Sequence, residues 1–233
     1  MKRVISLILL GLVAKAAAQD DAPKLVRVVM QVIEVPHAAL TKWTGAEKLK
    51  GAELHGRAVE LLATGESTIV ETNALICRSG EKALVESYGE WIYPSEYEPA
   101  GAIGPEPKPV DEKALSARPL RPMDFISFET RNAGATMEIE TTLDRAGKFI
   151  DLRMAFDMVN RASLETWMEF RDEWGNSPVR RPIFDSWKVS TGNTLAAGTF
   201  ELVNVFTPKP AAVPAAATRQ LVFVRADVLT VGR

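Results

Sequence analysis

Residues 136–159 read TMEIETTLDRAGKFIDLRMAFDMV. Met137, Ile139, Thr141 and Leu143 fall on one side of a period-2 pattern, and Ile150, Leu152, Met154, Phe156 and Met158 fall on one side of another. Alternation at that period is the mark of a strand with one buried face. Between the two runs lies Asp144-Arg145-Ala146-Gly147-Lys148, polar and containing the residue that takes positive φ without steric cost. The stretch therefore predicts a long β-hairpin. With Arg145 to Lys148 as its loop, the pairs are Leu143–Ile150, Thr141–Leu152, Ile139–Met154 and Met137–Phe156, and Glu140 stands opposite Arg153 on the polar face. A slip of one residue would turn a whole apolar set to water, so the pattern fixes the register.

Working outward, Leu25 to Val35 is rich in Val and Ile and reads as a strand that ends at Pro36. One or two short helices follow. His37 to Trp43 can start one, and His55 to Ala63 has helical spacing with Gly65 placed as its stop. Ser67 to Cys77 and Ala83 to Ile92 read as two strands of a hairpin turned at Ser79-Gly80. Residues 94–122 hold seven of the fourteen prolines and read as an irregular or extended excursion. Leu164 to Trp174 fits either helix or strand, and strand is preferred because its neighbours are β. Gly175 to Pro178 reads as a turn, Ile183 to Thr191 as a strand, and Gly192-Asn193 as the turn after it. Thr194 to Phe206 holds one or two more strands. Pro208 to Thr218 is an Ala/Pro loop, and Gln220 to Val231 is the last strand. The expected fold class is mainly β (α+β): an antiparallel sheet of long hairpins with one or two short helices near the N-terminus.

The chain has 233 residues, enough for one large β domain with a sizeable core. Its first residues are organised differently. Lys2 and Arg3 precede an apolar run from Val4 to Val13, followed by small residues through Ala18. This is the layout of a secretory signal peptide over residues 1–18, with residues 19–233 as a single exported domain. Ten apolar residues are too few to span roughly 30 Å of hydrocarbon. Removing Lys2, Arg3 and Lys15 from the 28 basic residues leaves 25 against 30 acidic ones, a net charge of −5. Such a chain has no overall electrostatic pull toward nucleic acid. Its single cysteine, Cys77, excludes an intrachain disulfide and lies in an apolar run that suits a buried thiol.

No constellation for chemistry stands out. His37 and His55 are the only histidines and read as surface or helix-boundary residues. No metal-binding spacing, nucleophile elbow or phosphate loop occurs. Glu138 and Glu140 share a strand face, as do Asp151 and Asp157, which is the pattern of a solvated face. Trp43, Trp91, Trp167, Trp174 and Trp187 read as core and subunit-interface packing. Arg180-Arg181 is too short for a nucleic-acid patch.

Several runs, taken together, resemble the secretin family of outer-membrane gate proteins of type II and type III secretion and type IV pilus systems. VRVVMQVIEV followed by Pro36 resembles the family's opening strand. The run from Ser67 to Gly101 resembles its strand–turn–strand unit, through Thr72, Gly80, Ala83 and Tyr93-Pro94. Arg131-Asn132-Ala133-Gly134 and the hairpin after it resemble the family's Arg-Asn-x-Gly run with an acid-x-x-Gly turn. RPIFDSWKVSTGNTLAAGTF resembles a strand pair of the family, with Ala196-Ala197-Gly198 where the family has a double glycine, and RQLVFVRADVL resembles the closing strand. The resemblance is colinear over about residues 26–231. It is to a short form of the secretin domain, without the periplasmic domains that precede it in pore-formers. It implies an exported, non-enzymatic structural protein of the periplasm or outer membrane of a Gram-negative-type bacterium. That protein would bind no cofactor, and would self-associate or join secretion or pilus machinery. Thr191, Gly192, Thr194 and Gly198 would belong to a gate or barrel hairpin. The alternative is a monomeric periplasmic binding or scaffold module that has the fold and forms no pore.

Overall fold

The computed structural model describes residues 24–98, 124–172, 175–208 and 218–231. The segment proposed as a signal peptide, most of the proline-rich excursion and Trp174 lie outside these residues. Among the described residues eight strands form two antiparallel four-stranded sheets. The first sheet has the order β2-β1-β8-β7, built from β1 (Lys24–Pro36), β2 (Thr68–Arg78), β7 (Glu201–Phe206) and β8 (Thr218–Thr230). The second is a meander in the order β3-β4-β5-β6, built from β3 (Lys82–Glu98), β4 (Asp124–Leu143), β5 (Phe149–Asp172) and β6 (Gly175–Ala196).

The β4–β5 hairpin has the register that its alternation dictates. Leu143 pairs with Ile150, Thr141 with Leu152, Ile139 with Met154, Met137 with Phe156 and Glu140 with Arg153. Its turn is held by the Asp144 carboxylate, which accepts from the backbone N–H of Lys148 at 2.7 Å and of Phe149 at 2.9 Å. Gly147 takes φ 70° there. The apolar side of the hairpin packs on one face of the first sheet. Met137, Ile139, Ile150, Leu152, Met154 and Phe156 meet Val26, Val28, Met30, Val32, Val222, Val224 and Ala226, all buried. Each of these side chains larger than Ala226 contributes roughly 1.5–3 kcal/mol by leaving water. Cys77 is buried in the same layer, with its thiol 3.3 Å from the Thr141 hydroxyl.

The opposite face of the first sheet carries the helices. Helix α1 (His37–Thr41) runs into a π-helical turn over Lys42–Ala46, and α2 (Gly51–Thr64) follows. Leu40, Trp43, Leu54 and Ala58 cover Ile33, Val35, Leu221 and Phe223. Gly65 ends α2 at φ 74°, as its position in the sequence indicates. The helix begins at Gly51, four residues before the expected start. A Cβ at Gly51 would stand 2.3 Å from a Glu201 carboxylate oxygen and 2.9 Å from the Phe200 carbonyl, so only glycine lets the helix enter beside β7.

Several expected boundaries are corrected. β2 and β3 do not form a hairpin: β2 pairs with β1 and β3 with β4. The turn at Ser79-Gly80 instead carries the chain from one sheet to the other. Gly80 donates its N–H to the Thr141 carbonyl at 2.6 Å, and the Ser79 hydroxyl accepts from the Leu143 N–H at 2.9 Å. A reversal of chain direction looks alike in sequence either way, and here the β4–β5 hairpin competes successfully for β3. The excursion begins later than expected, since β3 continues through Pro94 to Glu98. Leu164 to Asp172 is strand, as preferred. Gly175 to Pro178 is not a turn but the start of β6, paired with residues 169–172. Gly192-Asn193 is not a turn either. β6 runs through both to Ala196, because Leu195 has to reach its buried place opposite Ile150.

A candidate assembly surface

The two sheet-to-sheet turns decide where the open edges lie. Ser79–Glu81 joins β2 to β3, so the outer edges of these strands share one flank of the two-layer body. Residues 197–200 join β6 to β7 and place the other two edges on the opposite flank of the body, although on the ribbons beyond it β6 meets β3 of the same chain through Phe184 and Tyr93. Among the described residues each edge strand has a ladder partner on one side only. Unpaired backbone N–H and C=O groups along such an edge template further pairing.

The second sheet also outgrows its partner. β5 has 24 residues, an extended length of about 80 Å. Pairing between β4 and β5 stops at Gly134–Val159. Beyond it β3–β4 and β5–β6 continue as two ribbons of two strands each. They touch where Phe184 meets the Tyr93 ring at 5.9 Å and the Arg131 guanidinium at 5.2 Å. Isolated two-stranded ribbons are marginal in water. These also expose large apolar side chains: Ile92 on one ribbon, Leu164 and Trp167 on the other, Trp167 at 69%.

The residues singled out for a gate or barrel hairpin are not gathered into one turn. Thr191, Gly192 and Thr194 are in β6, paired with Met154, Arg153 and Asp151. The Thr194 hydroxyl bonds the Asp151 carboxylate at 2.5 Å, and Asn193 donates to the Thr191 hydroxyl at 3.1 Å. Gly198 alone is in a turn, at φ 81°. There Ala197 donates to the Lys148 carbonyl at 2.9 Å and Gly198 to that of Ala226 at 2.8 Å, which pins the crossing from second to first sheet. Thr191 and Gly192 line an open hollow of about 500 Å³ together with Lys82, Glu138, Glu140 and Arg153.

The acids of the central hairpin lie on the outer face of the second sheet, each with a partner. Lys82 meets Glu138 at 2.9 Å, Arg153 meets Glu140 at 3.9 Å, and Lys188 meets Asp157. Ion pairs this exposed contribute at most about 1 kcal/mol each. Among the described residues no group of three His, Cys, Asp or Glu could hold a metal ion. No described helix is long and apolar enough to cross a membrane, which bears only on helices.

The histidines and tryptophans divide. His37 is exposed at the start of α1, as read. His55 is not a boundary residue. It faces the first sheet from within α2, stacked on Phe200 at 3.7 Å with Nε2 2.8 Å from the Gln31 Oε1. Burial, and then the Arg225 charge, hold its pKa below the usual 6.5. Trp43 is buried, and Trp187 sits half-buried between Phe156 and Phe206. Trp91 and Trp167 stand on the ribbons. The edges themselves escaped the sequence reading, since no local pattern says which strand will lack a neighbour.

No protein-family model and no curated protein matches the sequence. Among solved structures the chain is similar to secretin domains. One is the InvG secretin domain β-barrel from the Salmonella SPI-1 injectisome, at 10% identity and TM-score 0.46, covering 93% of this chain and 66% of that one. Another is the type II secretion system secretin GspD of E. coli K12, at 8% identity and TM-score 0.39, covering 89% and 50%. A third is PulD in the Klebsiella pneumoniae type II secretion system outer membrane complex, at 10% identity and TM-score 0.42, covering 91% and 41%. The chain thus spans about two thirds of the InvG chain and half or less of the other two.

Proposed function

We propose that this chain is an exported, non-enzymatic structural subunit that joins copies of itself, edge to edge, into a secretin-like β-assembly of the periplasm or outer membrane. One observation carries the reading: among the described residues each flank of the body presents two strand edges with no ladder partner, β2 with β3 and β6 with β7. Copies joined β3 to β6 and β2 to β7 satisfy all four edges at once, and a closed ring leaves none open. The ribbons supply the apolar surface such a structure buries. The sequence runs that resemble secretins agree with this role, and secretion or pilus machinery proteins are the natural further partners. In this reading Thr191, Gly192, Thr194 and Gly198, at the inner end of β6 and its exit turn, belong to the gate or barrel hairpin.

The test is the state of the native protein. Fractionated cell envelopes, followed by sizing and electron microscopy of the detergent-extracted protein, should yield a ring of many copies. Monomers alone, in detergent and out of it, would remove the assembly and leave a monomeric periplasmic binding or scaffold module.

A further inference from the structure

The two edges of the second sheet carry opposite charge. On β3 the exposed acids are Glu86, Glu90 and Glu96, and its one base, Lys82, is tied to Glu138. On the described part of β6 the bases are Arg180, Arg181 and Lys188, against the single acid Asp185. Arg180 and Lys188 are exposed, Lys188 sharing its charge with Asp157, while Arg181 lies over the Trp167 ring at 5.1 Å. The flanking edges of the first sheet carry no such contrast: β2 has Glu71 and Arg78, and β7 has Glu201.

The ladder sets these charges in line. Glu86 pairs with Thr136, Thr136 with Asp157 and Asp157 with Lys188. Glu86 and Lys188 are therefore the two ends of one row across the sheet. β3 and β6 run in opposite directions, so β6 of a second copy can extend the sheet past β3 with the antiparallel pairing it already has. In that register the acid end of the row, Glu86, meets the basic end, Lys188, of the next copy.

We infer that the acidic β3 edge of one copy and the basic β6 edge of the next form a charge-matched, head-to-tail interface that excludes two-fold pairing of like edges. This rests on the edge-to-edge reading above and adds what gives it direction. Joining β3 to β3 would set acids against acids, and joining β6 to β6 bases against bases. Like charges directly opposite across a strand pair destabilise it, and opposite charges stabilise it. A head-to-tail contact repeats, and closes into a ring when its rotation permits, whereas a single like-to-like contact is two-fold and joins only two copies. Exposed charges are screened at high salt, so the interface weakens as ionic strength rises.

Three mature proteins are sized by native mass spectrometry and electron microscopy in detergent at about 0.1 M salt. They are the wild type, an acid-reversed variant (Glu86→Lys, Glu90→Lys, Glu96→Lys) and a base-reversed variant (Arg180→Glu, Lys188→Glu). Circular dichroism verifies each fold. Each variant alone should associate roughly tenfold or more weakly than the wild type. An equimolar mixture should recover assembly with the two variants alternating, because every contact again joins opposite charges. Wild-type assembly should loosen as salt is raised. If folding of a reversed variant fails, Glu86→Gln with Glu90→Gln replaces it, with weaker association expected. Variants that assemble as the wild type does, or folded variants whose mixture stays monomeric, overturn the charge matching and leave edge pairing standing. A wild type that is monomeric throughout overturns both.

Discussion

Gly134 packs so closely on the strand beside it that a Cβ there would stand 2.1 Å from the Ser87 carbonyl oxygen. It would also lie 2.5 Å from the Tyr88 Cα. With φ at 150°, Gly134 holds a backbone conformation that side chains avoid. It is also the last β4 residue paired with β5. The β3–β4 ribbon thus leaves the body at the point where only glycine fits. Gly134→Ala should cost about 2–4 kcal/mol, and urea denaturation of the two proteins measures it. Hydrogen exchange should rise along β3 and β4. An unchanged midpoint would mean that the ribbon leaves freely.

Phe156 joins the two layers. It is buried on β5, with its ring 5.0 Å from that of Trp187, which in turn lies 4.1 Å from Phe206. Phe156→Ala removes a full core ring and should lower stability by about 3–5 kcal/mol. Trp187 reports the loss locally, through a red shift of its fluorescence. A cost below about 1 kcal/mol would show that the layers are not locked there.

His55 gives the docking of α2 a pH dependence. Its pKa is held below 6.5 in the folded protein by burial, and then by Arg225. Arg225 on β8 is the charged group that acts on it, and Arg225 is itself bonded to Asp227, which also holds Arg27 of β1. The unfolded chain then binds the proton more readily than the folded one. Stability is fully present above 6.5, falls as the pH drops through that value, and levels off below the folded-state pKa. The ring is half exposed, so solvent keeps the loss small. His55→Gln should flatten the profile in thermal melts at a series of pH values. An identical slope in wild type and variant would assign the dependence elsewhere.

Asp144 is predicted to matter at lower pH. Its carboxylate accepts from the Phe149 N–H first, then from Lys148 and Ala146, and these bonds hold its pKa below 3.8. As with His55, stability is lost as the pH falls, but in a lower range. Its contribution is present above 3.8 and disappears as the pH falls through the folded-state value. Asp144→Ala should lower the melting temperature by a few degrees at neutral pH and leave the difference smaller in acid. Asp144→Asn keeps one acceptor and should recover part of the loss. A full wild-type melting point in Asp144→Ala would show that Gly147 alone sets the turn.

The sequence by itself determined the β4–β5 hairpin, from Met137–Phe156 to Leu143–Ile150, together with its Asp144–Gly147 turn. It also determined β1, β8 and the stop of α2 at Gly65. In each of these the information is local: alternation at period 2, one αL glycine, an acceptor facing free N–H groups. Only the tertiary structure decided the rest. Ser79-Gly80 became a crossing between sheets because β4 offered β3 a better partner than β2 did. β6 ran on through Gly192-Asn193 because Leu195 is buried opposite Ile150, and a turn signal is weaker than that burial. His55 faces Phe200, some 145 residues away in the chain, and no local pattern records such a contact. The open edges are likewise set by which strands go without a neighbour, a property of the whole sheet. The charges on β3 and β6 were legible all along. Their meaning as two ends of one row, from Glu86 to Lys188, came only when the ladder joined four strands distant in sequence.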